Sequence, residues 1–322
     1  KVKGKVVGWV PFLGYIKLIL FDDIPQLLQG KRPYPFPWAR GFSPSPPFGR
    51  MDLKACRDYF YLFQNAYVGV VCVSMMELII EKADVLKRSI DAIAVLIDEA
   101  EFEVSEKGLT LKATDPSQIS MIDFEFEKKA FKKFNVEGTV KLGLDLDYLN
   151  QIMSRAKPND EVKLKLDDDS TKLSVSFHGA STRTFSIPLI DISSGELPNP
   201  KIDFDATIKL KASVLQDALK DASLLSTHLM LGAKTDLFYV KATSSKGELV
   251  NETKKDGISL MDVLVKKDCK SMFPLDYLSD MLKAAQSDTD LVLKLKENAP
   301  VELNYKIGDA TLRYFLAPRI ET

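Results

Sequence analysis

The sequence predicts an α+β protein made of two similar tandem units, and three observations carry that prediction. Short segments recur at a constant spacing of 129 residues: Ala83-Asp-Val-Leu and Ala212-Ser-Val-Leu, Lys112-Ala-Thr and Lys241-Ala-Thr, Leu146-Asp-Tyr-Leu and Leu275-Asp-Tyr-Leu, Leu164-Lys-Leu and Leu293-Lys-Leu. Within each half, segments of helical period alternate with segments of period two. Between the halves, Pro188, Gly195, Pro198 and Pro200 give residues 188–203 the composition of a linker. The boundaries that follow are 76–190 for the first unit, 191–203 for the connector and 204–322 for the second unit.

The first unit opens with a helix over 84–100, where Leu86, Ile90, Ile93 and Ile97 share one face. Strands follow at Phe102–Val104, Gly108–Lys112 and Ile119–Phe126, the last with clean alternation. A second helix over 147–156 presents Leu149, Ile152 and Met153. Val162–Leu166 and Lys172–Phe177 then flank an Asp167-Asp-Asp-Ser turn and read as a hairpin. The second unit repeats the scheme, with helices over 213–222 and 276–285. Gly179 and Thr182 match Gly308 and Thr311 at 129; Arg183, Phe185, Pro188 and Ile190 match Arg313, Phe315, Pro318 and Ile320 at 130, as a one-residue insertion would produce. Two helices per unit suffice to cover one face of a sheet.

The chain of 322 residues carries 44 basic and 45 acidic residues, a net charge of −1. That near-neutrality conceals a split. Residues 1–75 hold 10 Lys/Arg against 4 Asp/Glu, while the remainder is acidic. The first 75 residues also contain half of the 16 prolines and both tryptophans, with no sustained period of 2 or 3.6. They are expected to lie outside the working protein, as an upstream start or misjoined frame, with a disordered tail or a membrane element as alternatives. Residues 6–21 are too short and broken to span a bilayer, and the uncharged run 59–76 is a marginal span. Three cysteines exclude a disulfide scaffold and fit a reducing compartment.

Several stretches carry a family resemblance: Met76-Glu-Leu-Ile-Ile, Leu86-Lys-Arg, Leu96-Ile-Asp-Glu-Ala, Gly108-Leu-Thr-Leu-Lys-Ala-Thr-Asp-Pro-Ser, Tyr305-Lys-Ile and Tyr314-Phe-Leu-Ala-Pro-Arg-Ile-Glu. Over residues 76–322 the chain resembles the sliding clamp family of archaea and eukaryotes, proliferating cell nuclear antigen. The resemblance implies a ring of three subunits and six domains, with sheets outside and helices lining a pore for duplex DNA. It implies a protein without chemistry of its own that tethers DNA polymerase and other replication and repair proteins, and that a separate clamp loader opens.

Lys87 and Arg88 lie off the first apolar stripe, and the family's pore-facing basic positions match them together with Lys220 and Lys283. Other family lysines correspond to Ala94, Gln151, Ser154 and Asp217, so pore charge is expected to shift toward Arg155 and Lys157 at the end of the second helix. The family's partner-peptide pocket maps onto Thr114, Gln118 and Ile119, onto Leu197 and Pro198 of the connector, and onto Pro300, Phe315, Ala317, Pro318 and Ile320. Ring closure would pair Ser181, Arg183, Phe185 and Ile187 of one subunit with Glu248, Val250 and Glu252 of the next.

No catalytic residues, cofactor or metal site are expected. His178, His228 and Cys269 form no recognisable ligand or nucleophile spacing, Asp167–Asp169 reads as a solvated turn, and no phosphate-binding G-x-x-x-x-G-K-[ST] occurs. The reading is therefore a DNA polymerase processivity clamp, cytoplasmic and nucleoid-associated if archaeal or nuclear if eukaryotic. The alternative is a specialised ring subunit that assembles only with paralogous subunits for repair or checkpoint proteins.

Overall fold

The computed structural model describes residues 5–6, 19–20, 76–167, 169–192, 197 and 200–319. The chain divides into two compact units, Lys1–Val73 and Ser74–Thr322. Of the first unit, only the paired strands β1 (Lys5–Val6) and β2 (Ile19–Leu20) are described. The rest of the N-terminal expectations, including the apolar run 59–75, lie outside the described residues.

In the second unit the first repeat runs β3 (Met76–Ile80), α1 (Ala83–Ala94), β4 (Glu99–Ser105), β5 (Gly108–Thr114), β6 (Ser120–Glu127), β7 (Lys133–Val136), β8 (Val140–Asp145), α2 (Leu146–Met153), β9 (Glu161–Leu166), β10 (Lys172–His178) and β11 (Thr182–Pro188). The second runs β12 (Ala206–Lys211), α3 (Ala212–Ser223), β13 (His228–Lys234), β14 (Leu237–Ser244), β15 (Gly247–Lys254), β16 (Leu260–Val265), β17 (Cys269–Pro274), α4 (Leu275–Leu282), β18 (Asp290–Leu295), β19 (Val301–Ile307) and β20 (Ala310–Leu316). The 129-residue spacing holds down to single hydrogen bonds. Ala83 N–H to Asp160 O recurs as Ala212 N–H to Thr289 O, Leu146 N–H to Asp98 O as Leu275 N–H to Thr227 O, and Ile190 N–H to Gly143 O as Arg319 N–H to Met272 O. In that last pair, a side chain at Gly143 would run into the Ile190 carbonyl, so glycine lets the start of the connector lie against β8.

The strands form three antiparallel sheets, in the orders β11-β10-β9-β3-β7, β16-β12-β18-β19-β20-β6-β5-β4-β8 and β15-β14-β13-β17. The central nine-stranded sheet contains strands of both repeats, joined where β20 pairs with β6. Alternation along the strands sends Leu111, Ile122, Phe124, Leu303, Leu312 and Tyr314 inward, and these residues are at most 3% exposed. One apolar core runs through both repeats. Each large side chain in it contributes about 1.5–3 kcal/mol by leaving water. The two buried tyrosines still satisfy their hydroxyls: Tyr314 donates to Ala92 O on α1 at 3.2 Å and Tyr305 to Met281 O on α4 at 2.8 Å. Burial pushes the Tyr305 phenol up to about 12.

Three sequence expectations shift. The first helix ends at Ala94 rather than at residue 100; Ile97 stays buried on the same face through a turn in which its N–H bonds Ile93 O. The second helix ends at Met153, as its repeat ends at Leu282, so Arg155 and Lys157 lie in the following segment rather than on the helix. The last strand of the second repeat is offset by 129, not 130: the repeats Leu164 and Leu293 pair with Val175 and Leu303, which pair in turn with Phe185 and Tyr314. His178 pairs with Thr182 across a three-residue turn, whereas Ile307 pairs with Ala310 across two. Phe185 and Ile187 therefore stand where Tyr314 and Leu316 do, on the core face, while Phe315 lies on the opposite face of its strand.

Candidate functional site

The four helices form a layer in which α1 touches α2 and α4, and α4 touches α3. Asp145 starts α2 by accepting the Tyr148 N–H at 2.8 Å, and Asp84 and Asp276 lie in the first turns of α1 and α4, where the helix dipole favours acids. Two grooves cross this layer. Arg88, Asp91, Asn150, Lys283 and Gln286 line one, and Gln216, Lys220, Ser223, Asp280 and Lys283 line the other. The fold thus brings Arg88, Lys220 and Lys283 onto one surface, with Lys283 shared by both grooves.

These basic groups are not equally free. Arg88 is half-buried, donating to Ala284 O at 3.2 Å and lying 3.6 Å from Asp84. Lys87 Nζ donates to Ser154 O at 3.3 Å, and Lys220 pairs with Asp217 at 3.0 Å. Lys283, Arg155 and Lys157 are exposed. Asp280 lies among them; burial raises its carboxyl above the usual carboxylate range, against the opposing pull of Lys283.

A second surface lies around the β20–β6 junction. Thr114, Met121 and Phe315 are directly opposite one another across β5, β6 and β20, and so form one row on one face of the sheet. Phe315 is only 7% exposed, so it forms the floor of this surface rather than a free anchor. Above the row, the loop 115–119 meets the C-terminal segment through Ala317 N–H to Ile119 O at 2.8 Å. Gln118 is exposed at a φ of 57°, a left-handed conformation that residues with a Cβ seldom adopt. Pro300 precedes β19 next to this edge, and Pro300, Ala317, Pro318 and Leu197 are half-buried. Pro198 and Ile320 lie outside the described residues.

Sequence reasoning missed what shapes the loop. Asp115, buried to 3% exposure, accepts from Ser117 N–H at 3.0 Å, Ile119 N–H at 2.9 Å, Ser120 N–H at 2.6 Å and the Ser120 hydroxyl at 3.1 Å. From the other repeat, the Tyr277 hydroxyl on α4 donates to it at 3.0 Å. Burial pushes the Asp115 carboxyl up, but the bonds from Ser120, Tyr277 and Ser117 outweigh that and hold it below its ordinary value. The Asp-Pro-Ser run after a strand signals the turn; nothing local signals Tyr277.

The third group lies on two end strands. β11 ends the five-stranded sheet and β15 the four-stranded one. On β15, Glu248, Val250 and Glu252 are exposed, Val250 to 51%, with Glu248 paired to Lys241 of its own sheet. On β11 three of the four side chains already have partners within their own chain. Ile187 is 1% exposed and packs into its own core, and Phe185 stacks edge-on against Phe177 at 5.8 Å between centroids. Arg183 turns back onto its own chain, pairing with Asp160 and donating to Arg155 O at 2.8 Å. Ser181 is exposed in the turn before the strand. Among the described residues, no group of three or more His, Cys, Asp or Glu could hold a metal ion, and no helix is long and apolar enough to cross a membrane.

Tandem α+β repeats joined through one sheet, with a helix layer that gathers Arg88, Lys220 and Lys283 on one surface, define the class of two-domain sliding clamps. The family models for the N-terminal and C-terminal domains of proliferating cell nuclear antigen match residues 75–195 and 199–320. The DNA polymerase sliding clamp of Pyrococcus furiosus is 34% identical over 246 residues, 76% of this chain and 98% of that protein. That of Thermofilum pendens is 33% identical over 249 residues, 77% of this chain and 100% of its own length. Among solved structures, the Archaeoglobus fulgidus (A. fulgidus) clamp bound to the C-terminal region of FEN-1 is 28% identical with a TM-score of 0.71, covering 77% of this chain and all of that one. The fold is also that of the Thermococcus kodakaraensis clamp, with a TM-score of 0.73 over 76% of this chain and all of that one, at 24% identity. The chain belongs to the proliferating cell nuclear antigen family, and its function is that of a DNA sliding clamp.

Proposed function

We propose that three copies of this chain close head-to-tail into a ring whose helix layer faces duplex DNA and whose β20–β6 surface receives extended peptides of replication and repair proteins. The observation that carries the ring is the internal repeat. Leu164 and Leu293 are repeats, so their partners Val175 and Leu303, and in turn Phe185 and Tyr314, are equivalent and β20 corresponds to β11. Leu237 is the repeat of Gly108, so Lys254 and Glu127 are equivalent and β15 corresponds to β6. The junction β20–β6 is made inside the chain; its counterpart, β11 against β15, is available only between chains. Carrying the observed register across sets Phe185 of one subunit opposite Leu249 of the next, and Thr184 opposite Val250. Pairing one end of a subunit with the opposite end of its neighbour is a heterologous contact, which closes into a ring when the rotation per subunit allows.

Within such a ring, Lys87, Arg88, Lys220 and Lys283 face the phosphates, supported by Arg155 and Lys157 from the turn after α2. Their partial engagement with Asp84, Asp217 and backbone carbonyls leaves weak, sequence-independent contact, while topology provides retention. The clamp performs no chemistry; a loader opens it. The peptide surface combines the apolar row Thr114–Met121–Phe315 with the half-buried prolines and the loop carrying Gln118 and Ile119. An extended peptide with apolar anchors fits such a groove.

Native mass spectrometry of the full chain tests the assembly. The expected species is a trimer, and Val250→Asp, which adds a third acid beside Glu248 and Glu252 on the edge strand, yields monomers that melt at the same temperature as unassembled wild type. A wild-type monomer at micromolar concentration overturns the homotrimer.

A further inference from the structure

The strongest feature that the clamp function does not absorb is the bond between Tyr277 and Asp115, which joins a helix of the second repeat to a loop of the first. Asp115 is the hub of the loop, holding the N–H groups of residues 117, 119 and 120. Tyr277 caps this hub from outside, and Ser117 also hydrogen-bonds its hydroxyl. At the other end of the same helix, Ala284 O accepts from Arg88, so α4 is anchored to the first repeat at both ends. The repeat itself supplies a control. Tyr148 is the counterpart of Tyr277 by the 129-residue spacing, yet it is 43% exposed. The counterpart of Asp115 is Ser244, where the five-residue loop shrinks to the two-residue turn Ser245-Lys246.

We propose that Tyr277 is a positioning residue for peptide docking: its hydroxyl, through Asp115, holds the loop that presents Gln118 and Ile119 beside Ala317. The inference rests on the docking surface proposed above. A loop with its N–H groups fixed in advance loses less freedom when a peptide binds, so its order appears as affinity. Removing one hydrogen bond to a buried carboxylate is expected to weaken binding about three- to tenfold.

The test compares wild type, Tyr277→Phe and Tyr148→Phe in the full chain, with a synthetic C-terminal peptide of FEN-1 as the probe. Tyr277→Phe should raise the peptide Kd about three- to tenfold and speed amide exchange at Ile119 and Ser120, with oligomeric state unchanged and the melting temperature lowered by only a few degrees. Tyr148→Phe should change neither readout. If wild type binds and Tyr277→Phe leaves both Kd and loop exchange at wild-type values, the positioning role is overturned while the docking surface stands. An equal change in Tyr148→Phe overturns the positioning role as well. If wild type does not bind the peptide at all, the docking surface is wrong and the positioning role falls with it.

Discussion

The junction inside the chain and the two open edges of the chain are built from equivalent strands, yet they are finished differently. At the junction, β20 buries five of its seven residues and β6 five of its eight. At the edges, β11 buries one of seven and β15 none of eight. The junction is apolar where it counts: Leu312 faces Phe124 and Tyr314 faces Ile122, with the Arg313–Asp123 pair at 3.2 Å on the surface. The edges carry Thr182, Thr184 and Ser186 on one strand and Glu248 and Glu252 on the other. A permanent junction is buried like a core. The open edges are kept polar, with Val250 exposed and Phe185 and Leu249 half-buried among their apolar residues.

The largest effect should come from the closed junction. Phe124 is fully buried, meets Phe102 edge-on at 6.4 Å between centroids and lies opposite Leu312. Phe124→Ala is expected to destabilise the fold by about 3–5 kcal/mol through lost burial and the cavity left behind. Because the core is continuous across both repeats, calorimetry should show a single transition at a lower temperature. Separate melting of the two repeats would show that the junction is no more integral than the edges.

Much of this contrast was legible in the sequence, and the rest was not for physical reasons. Helices and their adjoining strands repeat because local apolar period and turn chemistry are written residue by residue, so the 129-residue spacing survives in Ala83 and Ala212 or Leu146 and Leu275. The end strands match in sequence at one offset and pair at another because strand register is set by the length of the turn at Gly308, not by side-chain identity. Arg155 and Lys157 fell outside the helix because α2 ends at Met153, as its repeat α4 ends at Leu282, and no local breaker marks that end. Asp115 and Tyr277, 162 residues apart, share no periodicity and no motif, and only the tertiary fold brings them together.

A middle-sized effect is expected from the helix layer, which distinguishes assembly from use of the assembled ring. Lys87→Glu, Arg88→Glu and Lys283→Glu combined should leave the trimer intact, since none of the three lies on β11 or β15. They should abolish most polymerase stimulation on primed DNA. Each lost phosphate contact should flatten the log–log salt dependence of DNA retention by about 0.9. Unchanged stimulation would remove these residues from the DNA-facing surface, and loss of the trimer would mean that the helix layer takes part in closing the edges.

The smallest effect concerns how the sheet that carries an open edge is secured at its other end. Glu77 on β3 pairs with Lys133 on β7 and Lys163 on β9, stitching the far strand of the five-stranded sheet in place. Hydrogen bonds from Lys133 and Lys163 lower its carboxyl from 4.5 to about 2. A folded-state value below the unfolded one adds stability above pH 4.5, and that stability is lost as pH falls toward 2. The whole depression would convert to about 3 kcal/mol, but Lys133 is 51% exposed and water screens the pair, so about 1 kcal/mol is expected. Glu77→Gln should therefore be less stable than wild type at neutral pH by that amount and converge with it only as pH falls to about 2 in denaturant titrations. If the trimer of Glu77→Gln also dissociates more readily at pH 7, the far strand is coupled to the open edge across four strand pairings. If assembly is unaffected, the edge is specified locally by β10 and β11 alone.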